Sequence, residues 1–95
     1  MPYRVDIYIG SDNRSRRISR EYVSRILEWA DETFPEGYTI IRGKGSYRGV
    51  AEDSLLVSIL SNNSIDLKEP LTNLKQRLRQ DAIMLAKSQV EIEVI

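Results

Sequence analysis

The chain has 95 residues, of which 41% are hydrophobic, and its 14 basic and 14 acidic side chains leave a net charge of zero. This length fits one domain over residues 1–95, and so small a domain often gains buried surface by forming an oligomer. The neutral charge argues against a dedicated nucleic-acid binder, which usually carries a basic excess.

The sequence contains neither cysteine nor histidine. The absence of cysteine excludes disulfides, thiolate nucleophiles and cysteine-based zinc sites. The absence of histidine removes the usual general base near neutral pH and the usual transition-metal ligand. The first ten residues lack the apolar core of a signal peptide, and no stretch reaches membrane-spanning length. We therefore expect a cytoplasmic protein with no membrane partner.

The first predicted element is a strand over residues 3–9, where β-branched residues alternate with polar ones until Gly10 ends the pattern. A polar loop over residues 11–17 follows. Together with the next helix it carries a basic cluster, which is either a solvated surface or a phosphate-binding patch. The cluster comprises Arg14, Arg16, Arg17, Arg20 and Arg25.

A helix is predicted to begin after Ser19, a favourable N-cap, with Ile18 and Val23 at hydrophobic-staple spacing. It is predicted to end near Phe34, where the Pro-Glu-Gly sequence of residues 35–37 follows. The apolar residues at helical spacing are Val23, Ile26, Leu27 and Ala30, supported by Tyr22 and Trp29.

Two further strands are predicted over residues 38–42 and 55–60. The later of the two is almost continuously apolar, so we expect it to lie centrally in a sheet with both faces covered. Between them, the glycine-rich sequence GKGSYRGVAEDS of residues 43–54 is predicted to be a connection.

A second helix is predicted from a capping-box pattern between Asp66 and Glu69, with Pro70 in the first turn. Residues 82–86 are predicted as the fourth strand, residues 87–89 as a bulge, and residues 90–95 as a resumed alternating strand. The apolar stripe of the helix consists of Leu67, Leu71, Leu74 and Leu78.

The resulting order, β-α-β-β-α-β, predicts an α+β, ferredoxin-like fold: a four-stranded antiparallel sheet with two helices on one face. The other face is then bare, and Tyr8 and Tyr38 are among the residues that need cover there. A symmetric oligomer would supply that cover and would place ligand sites between subunits.

The glycine-rich segment carries more polar chemistry than a turn requires. Tyr47 is either a cross-strand aromatic residue or a cleft residue that faces a ligand. Glu52 and Asp53 are either ordinary charges at the start of a strand or carboxylates that recognise a cationic group. Asp81 lies in a predicted helix C-terminal turn, where an acid is unfavourable, so a further role for it is one alternative.

Two familiar binding motifs do not fit the chain. The sequence GKGS of residues 43–46 is followed by a strand, whereas a Walker phosphate loop leads directly into a helix. An RNA-recognition motif would place aromatic residues on the central strand, and residues 55–59 contain none.

The second half of the chain resembles the small phage-encoded S-adenosylmethionine lyases. Residues 45–48, Gly-Ser-Tyr-Arg, resemble their Gly-x-Tyr-Arg segment, and Glu52 resembles the acidic residue at the start of their next strand. Residues 71–78 resemble their second helix. Residues 80–85 and 87–89 resemble their Gln-acid entry into the last strand. The first half agrees in pattern, including a polar loop near Ser11 and Arg14. A looser likeness links the chain to trimeric regulators of the nitrogen-regulatory PII type.

The resemblance implies a homotrimer with sites at subunit interfaces and with no metal or cofactor. Such enzymes cleave S-adenosylmethionine into methylthioadenosine and homoserine lactone, because the substrate's own carboxylate attacks the carbon next to the sulfonium. The implied catalytic residues are Glu52, Tyr47 and Asp81, and the implied substrate-binding residues are Ser11, Arg14, Gly45, Ser46 and Gln80.

Two alternatives stay open within this resemblance. An adenylated S-adenosylmethionine, a signal in antiviral defence, would bring a phosphate to the arginine-rich loop, so a phage-type anti-defence role is one expectation. The other is a non-catalytic, PII-like trimeric module that binds a small adenosyl or anionic ligand.

Overall fold

Four strands and two helices build the computed structural model, which describes residues 1–12 and 15–95. The strands form one antiparallel sheet in the order β2-β3-β1-β4. This arrangement confirms the predicted ferredoxin-like α+β fold. In chain order the elements are β1 (Tyr3–Gly10), α1 (Arg20–Thr33), β2 (Thr39–Tyr47), β3 (Val50–Ser61), α2 (Lys68–Leu78) and β4 (Met84–Gln89).

Both helices pack on the same face of the sheet. Odd-numbered side chains of β1 and β3 point into this layer, because successive residues of a strand face opposite ways. Trp29 lies where the helices meet, and its indole Nε1 donates a hydrogen bond to the Pro70 carbonyl oxygen at 2.9 Å. The buried core consists of Val5, Ile7, Ile9, Ile18, Tyr22, Ile26, Trp29, Ala30, Phe34, Leu55, Val57, Ile59, Leu67, Leu74 and Leu78.

The opposite face of the sheet is open, as the sequence predicts. Its large exposed apolar side chains are Tyr8, Ile41, Tyr47, Val50, Leu60 and Met84. Tyr38 is a correction to that prediction, because it packs against the core layer and its hydroxyl donates to Asp31 Oδ1. A sheet face with this many exposed apolar groups is unusual for a monomer and is typical of an interaction surface.

Helix α1 begins and ends close to the predicted residues. Ser19 is the N-cap, and its Oγ accepts a hydrogen bond from the Tyr22 backbone N–H at 3.1 Å. At the other end the N–H of Phe34 donates to the Ala30 carbonyl oxygen. The side chain of Phe34 then turns into the core, where its ring meets Trp29 edge-on at a centroid distance of 5.4 Å.

Replacing the N-cap Ser19 by alanine is expected to lower the free energy of unfolding by about 1 kcal/mol, because one helix N–H loses its acceptor. Ser19→Gly should cost only a few tenths of a kcal/mol, since glycine is tolerated at this position. Urea denaturation of both variants measures the difference. Equal stability of Ser19→Ala and the unmodified chain would show that the cap contributes nothing.

Helix α2 starts differently from the prediction. Leu67 is the N-cap and makes no side-chain cap hydrogen bond. The Asp66 carboxylate accepts from the Lys68 N–H at 3.0 Å, so the predicted capping box is wrong. Burial of the Leu67 side chain in the core explains why this residue holds the cap position. Pro70 lies in the first turn, as predicted.

The last predicted strand segment is also corrected. Residues 87–89 are not a bulge, because they pair in regular register with β1. Residues 90–95 form no strand. Their alternation favours one, but β1 begins at Tyr3, so no neighbouring strand extends alongside them. Neither helix of the described chain is long and apolar enough to cross a membrane.

Candidate functional site

The glycine-rich segment is a hairpin that extends the sheet. Pairing of β2 with β3 continues from Gly43 opposite Ser54 to Tyr47 opposite Val50. The predicted connection over residues 43–54 is therefore corrected, because both strands extend into it and only residues 48 and 49 lie between them. Because β1 reaches only to the level of Ser54, these residues project beyond the rest of the sheet. We call residues 43–54 the hairpin arm.

A two-residue turn closes the hairpin arm. Arg48 has a φ of 51° and Gly49 a φ of 79°. A tight hairpin turn of the type I′ class needs positive φ at both central residues, and glycine adopts it without steric cost. Gly49 thus meets the conformational demand of the turn, whereas Arg48 places a charged side chain at the tip.

The loop after β1 folds back onto the hairpin arm through Asp53. The Asp53 N–H donates to the Arg16 carbonyl oxygen at 3.4 Å, and Asp53 Oδ2 accepts from the Ile18 N–H at 3.2 Å. Lys44, on the neighbouring strand, forms an ion pair with Asp53 Oδ1. Asp53 therefore holds the loop against the arm, which is a structural role.

Acid is expected to weaken this attachment. The hydrogen bond from Lys44, followed by that from the Ile18 N–H, holds the pKa of Asp53 below its usual value of 3.8. A carboxyl group with a depressed folded-state pKa stabilises the fold above its unfolded pKa, and this contribution is lost as pH falls through the folded value. Asp53→Asn should thus be less stable than the unmodified chain at pH 7. Thermal unfolding across pH should show the difference shrinking as pH falls below the usual value of 3.8 and through the lower folded-state pKa; a constant difference would contradict the assignment.

A cleft of about 340 Å³ lies between the loop and the hairpin arm. This volume is near the lower end of the range for small-molecule sites. The cleft brings together three of the predicted site residues, Ser11, Tyr47 and Glu52. Its remaining lining residues are Asp12, Arg16, Arg48 and Val50.

Glu52 is the central carboxylate of the cleft. It is half-buried, and its Oε2 accepts a hydrogen bond from the buried Ser11 hydroxyl at 3.4 Å. Directly opposite Glu52 on β2 is Gly45, which presents no side chain. The carboxylate is therefore oriented from one side and accessible from the other, an arrangement suited to accept hydrogen bonds from a cationic group.

Gly43 and Gly45 are not required by the backbone of the arm. Both have ordinary strand conformations, and a Cβ atom at Gly45 would lie 3.8 Å from Ser54 Cβ, an ordinary contact. Glycine inside a strand weakens it, and its presence often marks a place where a ligand or another chain approaches closely. Because neither residue has a side chain, β2 adds no side-chain bulk to the open face at these two positions beside Glu52.

The cleft carries both signs of charge. The Arg48 guanidinium lies 5.3 Å from the centroid of the Tyr47 ring, which orients both side chains at the mouth of the cleft. Arg16 and Asp12 line the opposite side. A cleft lined by both cations and carboxylates offers partners for both charges of a zwitterionic ligand.

Gln80 contacts the cleft residue Ser11 from outside the cleft. Its Nε2 donates to the Ser11 carbonyl oxygen at 2.8 Å and to the Tyr22 hydroxyl at 2.9 Å. The Tyr22 hydroxyl in turn donates to the Gly10 carbonyl oxygen at 2.7 Å, and burial raises the pKa of Tyr22. Gln80 therefore positions Ser11 and does not itself line the cleft, although it is predicted to bind substrate.

Two other predicted site residues lie away from the cleft. Ser46 is paired with Ala51, so it points to the opposite face of the arm from Tyr47 and Glu52. Asp81 is exposed and lines a separate groove beside Lys68 and Lys75 of α2. Arg14 lies outside the described residues. Within residues 1–12 and 15–95 no group of three or more acidic side chains could hold a metal ion.

Asp12, Arg48 and Val50 line the cleft without being among the predicted site residues, whereas Arg16 belongs to the basic cluster predicted as either a solvated surface or a phosphate-binding patch. Asp12 and Arg16 reach the cleft because the loop folds back through the backbone contacts of Asp53. Arg48 belongs to the Gly-Ser-Tyr-Arg sequence that carries the resemblance, and this could have identified it as a residue of the site.

The chain is similar to known proteins in its fold. No family model and no curated protein matches the sequence. The structure is similar to a phage SAM lyase in complex with S-methyl-5'-thioadenosine, with a TM-score of 0.59 and 16% identity over 93% of this chain and 81% of that one. It is also similar to a de novo designed protein, Foldit4, with a TM-score of 0.50 and 17% identity over 96% of this chain and 100% of that one.

These likenesses confirm the predicted resemblance in fold. At 16% identity the shared feature is the chain path, and a designed protein follows a similar path. Fold alone does not specify activity, so any function has to be argued from the residues of the cleft.

Proposed function

We propose that the protein is a lyase that cleaves S-adenosylmethionine in the cleft beside the hairpin arm. One observation carries the proposal: Ser11, Tyr47 and Glu52, singled out by the sequence resemblance, line a single cleft. The fold around that cleft is shared with a solved phage SAM lyase whose complex contains S-methyl-5'-thioadenosine.

The proposed reaction needs no external nucleophile. An oxygen of the substrate's carboxylate forms a bond to the side-chain carbon next to the sulfonium, and the carbon–sulfur bond breaks with its electron pair moving to sulfur. The products are methylthioadenosine and homoserine lactone, and no proton is transferred. The protein's contribution is to hold the substrate in a folded conformation that brings the two atoms together.

The residues of the cleft suit that task. Glu52, held by the Ser11 hydroxyl, is proposed to bind the substrate's ammonium group and so orient the adjacent carboxylate. Tyr47 offers an aromatic face for the adenosyl or sulfonium group. Burial of this cleft against a neighbouring subunit, where the exposed Tyr47 ring would be covered, would favour a step in which a carboxylate and a sulfonium lose their charges together.

A homotrimer is part of the proposal. The exposed apolar side chains of the open face support burial between subunits. Asp81 lies far from Glu52 in sequence and lines a different groove, so its proposed catalytic role requires it to come from a neighbouring subunit. Light scattering should give a mass three times the 11.0 kDa of one chain. A monomer would contradict both the trimer and the proposed catalytic role of Asp81.

An adenylated S-adenosylmethionine is the proposed alternative substrate, and its removal would counter antiviral defence. Arg16 and Arg48 line the cleft and provide guanidinium groups for its phosphate. Arg16→Ala is expected to lower kcat/KM for the adenylated substrate about tenfold or more, since hydrogen bonds to charged groups contribute about 1.5–3 kcal/mol, with a smaller effect on the plain substrate. Arg25→Ala, which removes an exposed ion pair with Glu21, is the matched control. Equal losses for both substrates would contradict a phosphate contact.

Turnover tests the proposal as a whole. Purified protein is incubated with S-adenosylmethionine or its adenylated conjugate, and the products are separated by chromatography. Formation of methylthioadenosine, or its adenylated form, together with homoserine lactone is the expected result. A folded protein that binds either compound without consuming it would instead be a non-catalytic, PII-like binding module.

A further inference from the structure

Residues 90–95 have the pattern of a strand but lack a strand partner within residues 1–12 and 15–95. Apolar Val90, Ile92 and Val94 alternate with acidic Glu91 and Glu93. The Val90 N–H donates a hydrogen bond to the Pro2 carbonyl oxygen at 3.1 Å. Pro2 directly precedes β1, which begins at Tyr3, so β1 does not extend alongside the rest of the segment. Val94 is 94% exposed. Residues 90–95 thus have the alternating apolar and acidic sequence of a strand, and an exposed sheet edge is the surface with which such a segment pairs.

The free edge of β2 has complementary side chains. Among the strands that the structure describes, this nine-residue strand pairs only with β3, so its outer backbone groups are available. Arg42 and Lys44 point to one face of the edge, whereas Ile41, Gly43 and Gly45 point to the other. The Lys44 side chain is 83% exposed, which leaves room for a second carboxylate beside Asp53.

The spacing of the two segments matches. When Ile92 lies opposite Gly43, Glu91 and Glu93 lie opposite Arg42 and Lys44 in either strand direction, because both charged pairs are two residues apart. Ile92 then fills the space that Gly43 leaves open. Opposite charges and complementary sizes directly across a strand pair stabilise the pairing.

We propose that residues 90–95 of one copy of this chain add as a fifth strand to the β2 edge of a second copy. A contact between two different surfaces of the same chain is heterologous and closes into a ring when its rotation allows. Main-chain hydrogen bonds supply affinity in such strand addition, and the alternate side chains supply register.

The pairing must occur between copies. In the sheet order β2-β3-β1-β4, the outer edge of β2 and the end of β4 lie at opposite sides, about 14 Å or three strand spacings apart. Residues 90–95 continue directly from β4, so most of them would be used in crossing to β2 of the same chain. The outer edge of β4 offers only Lys87 as a cation.

A disulfide tests the register. The chain has no cysteine, so Gly43→Cys with Ile92→Cys creates the only possible pair. Opposed strand residues have Cα atoms about 4.5–5.5 Å apart, within reach of a disulfide. A Cβ atom at Gly43 meets Ser54 Oγ at 3.5 Å, so the site tolerates the side chain. After oxidation we expect covalent multimers on a denaturing gel, which return to the 11.0 kDa chain on reduction.

The matched control is Thr39→Cys with Ile92→Cys. Thr39 lies on the same edge and face as Gly43 but four residues away, about 13 Å along the strand, so this pair should stay uncrosslinked. A folded Gly43→Cys, Ile92→Cys protein that remains a single chain, or that forms a disulfide within one chain, would overturn the proposal.

Charge variants provide a test that leaves the sheet untouched. Glu91→Gln with Glu93→Gln should weaken subunit association, and Glu91→Lys with Glu93→Lys should weaken it further, by about tenfold or more in the dissociation constant. Glu36→Lys, in the turn before β2, is the control. An unchanged constant in sedimentation would overturn the proposal. The strand contact does not rest on the lyase: crosslinking without turnover would remove only the enzymatic function.

Discussion

Glu52→Gln is expected to reduce cleavage of S-adenosylmethionine severely while the protein stays folded. Glutamine keeps the size of the side chain and its contact with Ser11, but it loses the charge that is proposed to bind the substrate's ammonium group. Loss of one partner from a desolvated charge pair costs about 2–5 kcal/mol, which corresponds to a loss of about 30-fold to several thousand-fold in kcat/KM. Initial rates of methylthioadenosine release measure the effect.

The control for this variant is Glu36→Gln, a similar change at an exposed carboxylate in the turn before β2. It should retain the full rate. Circular dichroism and the oligomeric mass should be the same for both variants and the unmodified protein. Unchanged turnover in Glu52→Gln would remove Glu52 from the mechanism, because its charge would then contribute nothing to catalysis.

Trp29→Ala is expected to cause the largest loss of stability. Trp29 is 2% exposed and contacts the core from α1, while its indole Nε1 hydrogen-bonds to Pro70 in α2. Removal of a buried tryptophan side chain costs about 3–5 kcal/mol. For a domain of this size each kcal/mol lowers Tm by about 4–8 °C, so a fall of about 12–40 °C is expected in thermal unfolding.

Leu27→Ala is the matched control on the same helix. Although its spacing predicts a core position, Leu27 is 38% exposed, so its removal should change stability by no more than about 0.5 kcal/mol. Trp29→Phe separates the two contributions of Trp29, because it keeps an aromatic ring and removes the hydrogen bond to Pro70. A Trp29→Ala protein that unfolds at nearly the original temperature would contradict the packing described for the two helices.

The elements with strong periodicity were predictable from the sequence. The alternating residues of β1 and the helical apolar spacing that includes Ile26 and Ala30 correspond to buried faces in the structure. The ferredoxin-like order follows from these elements, because connection lengths and handedness leave few alternatives. Tyr38 and Leu27 were misplaced, since a single residue at the end or side of an element depends on the angle at which its neighbours pack.

The hairpin arm shows why local composition misleads. Glycine at positions 43, 45 and 49 favours a turn or loop, yet only Gly49 has the positive φ that a turn requires. The other two continue a strand because β3 supplies a partner for each of them. Residues 90–95 show the converse: strand-like alternation forms no strand where no partner lies alongside.

The site could be predicted in part. Ser11, Tyr47 and Glu52 were found because their chemistry exceeds what a loop or turn needs, and the structure brings them to one cleft. The contribution of Asp12 could not be predicted, because it depends on the long-range contact of Asp53 with the loop, whereas Arg16 belongs to the cluster that was predicted as either a solvated surface or a phosphate-binding patch. The roles of Asp81 and Ser46 stay predictions, since both lie outside the cleft of a single chain.

A time course in water enriched in oxygen-18 tests the central claim most directly. The protein is incubated with S-adenosylmethionine in this water, and the early products are identified by mass spectrometry. Attack by the substrate's own carboxylate predicts methylthioadenosine together with unlabelled homoserine lactone. Homoserine that carries oxygen-18 in its side-chain hydroxyl from the first time point, or substrate that remains intact beside a folded oligomer, would contradict the proposed lyase.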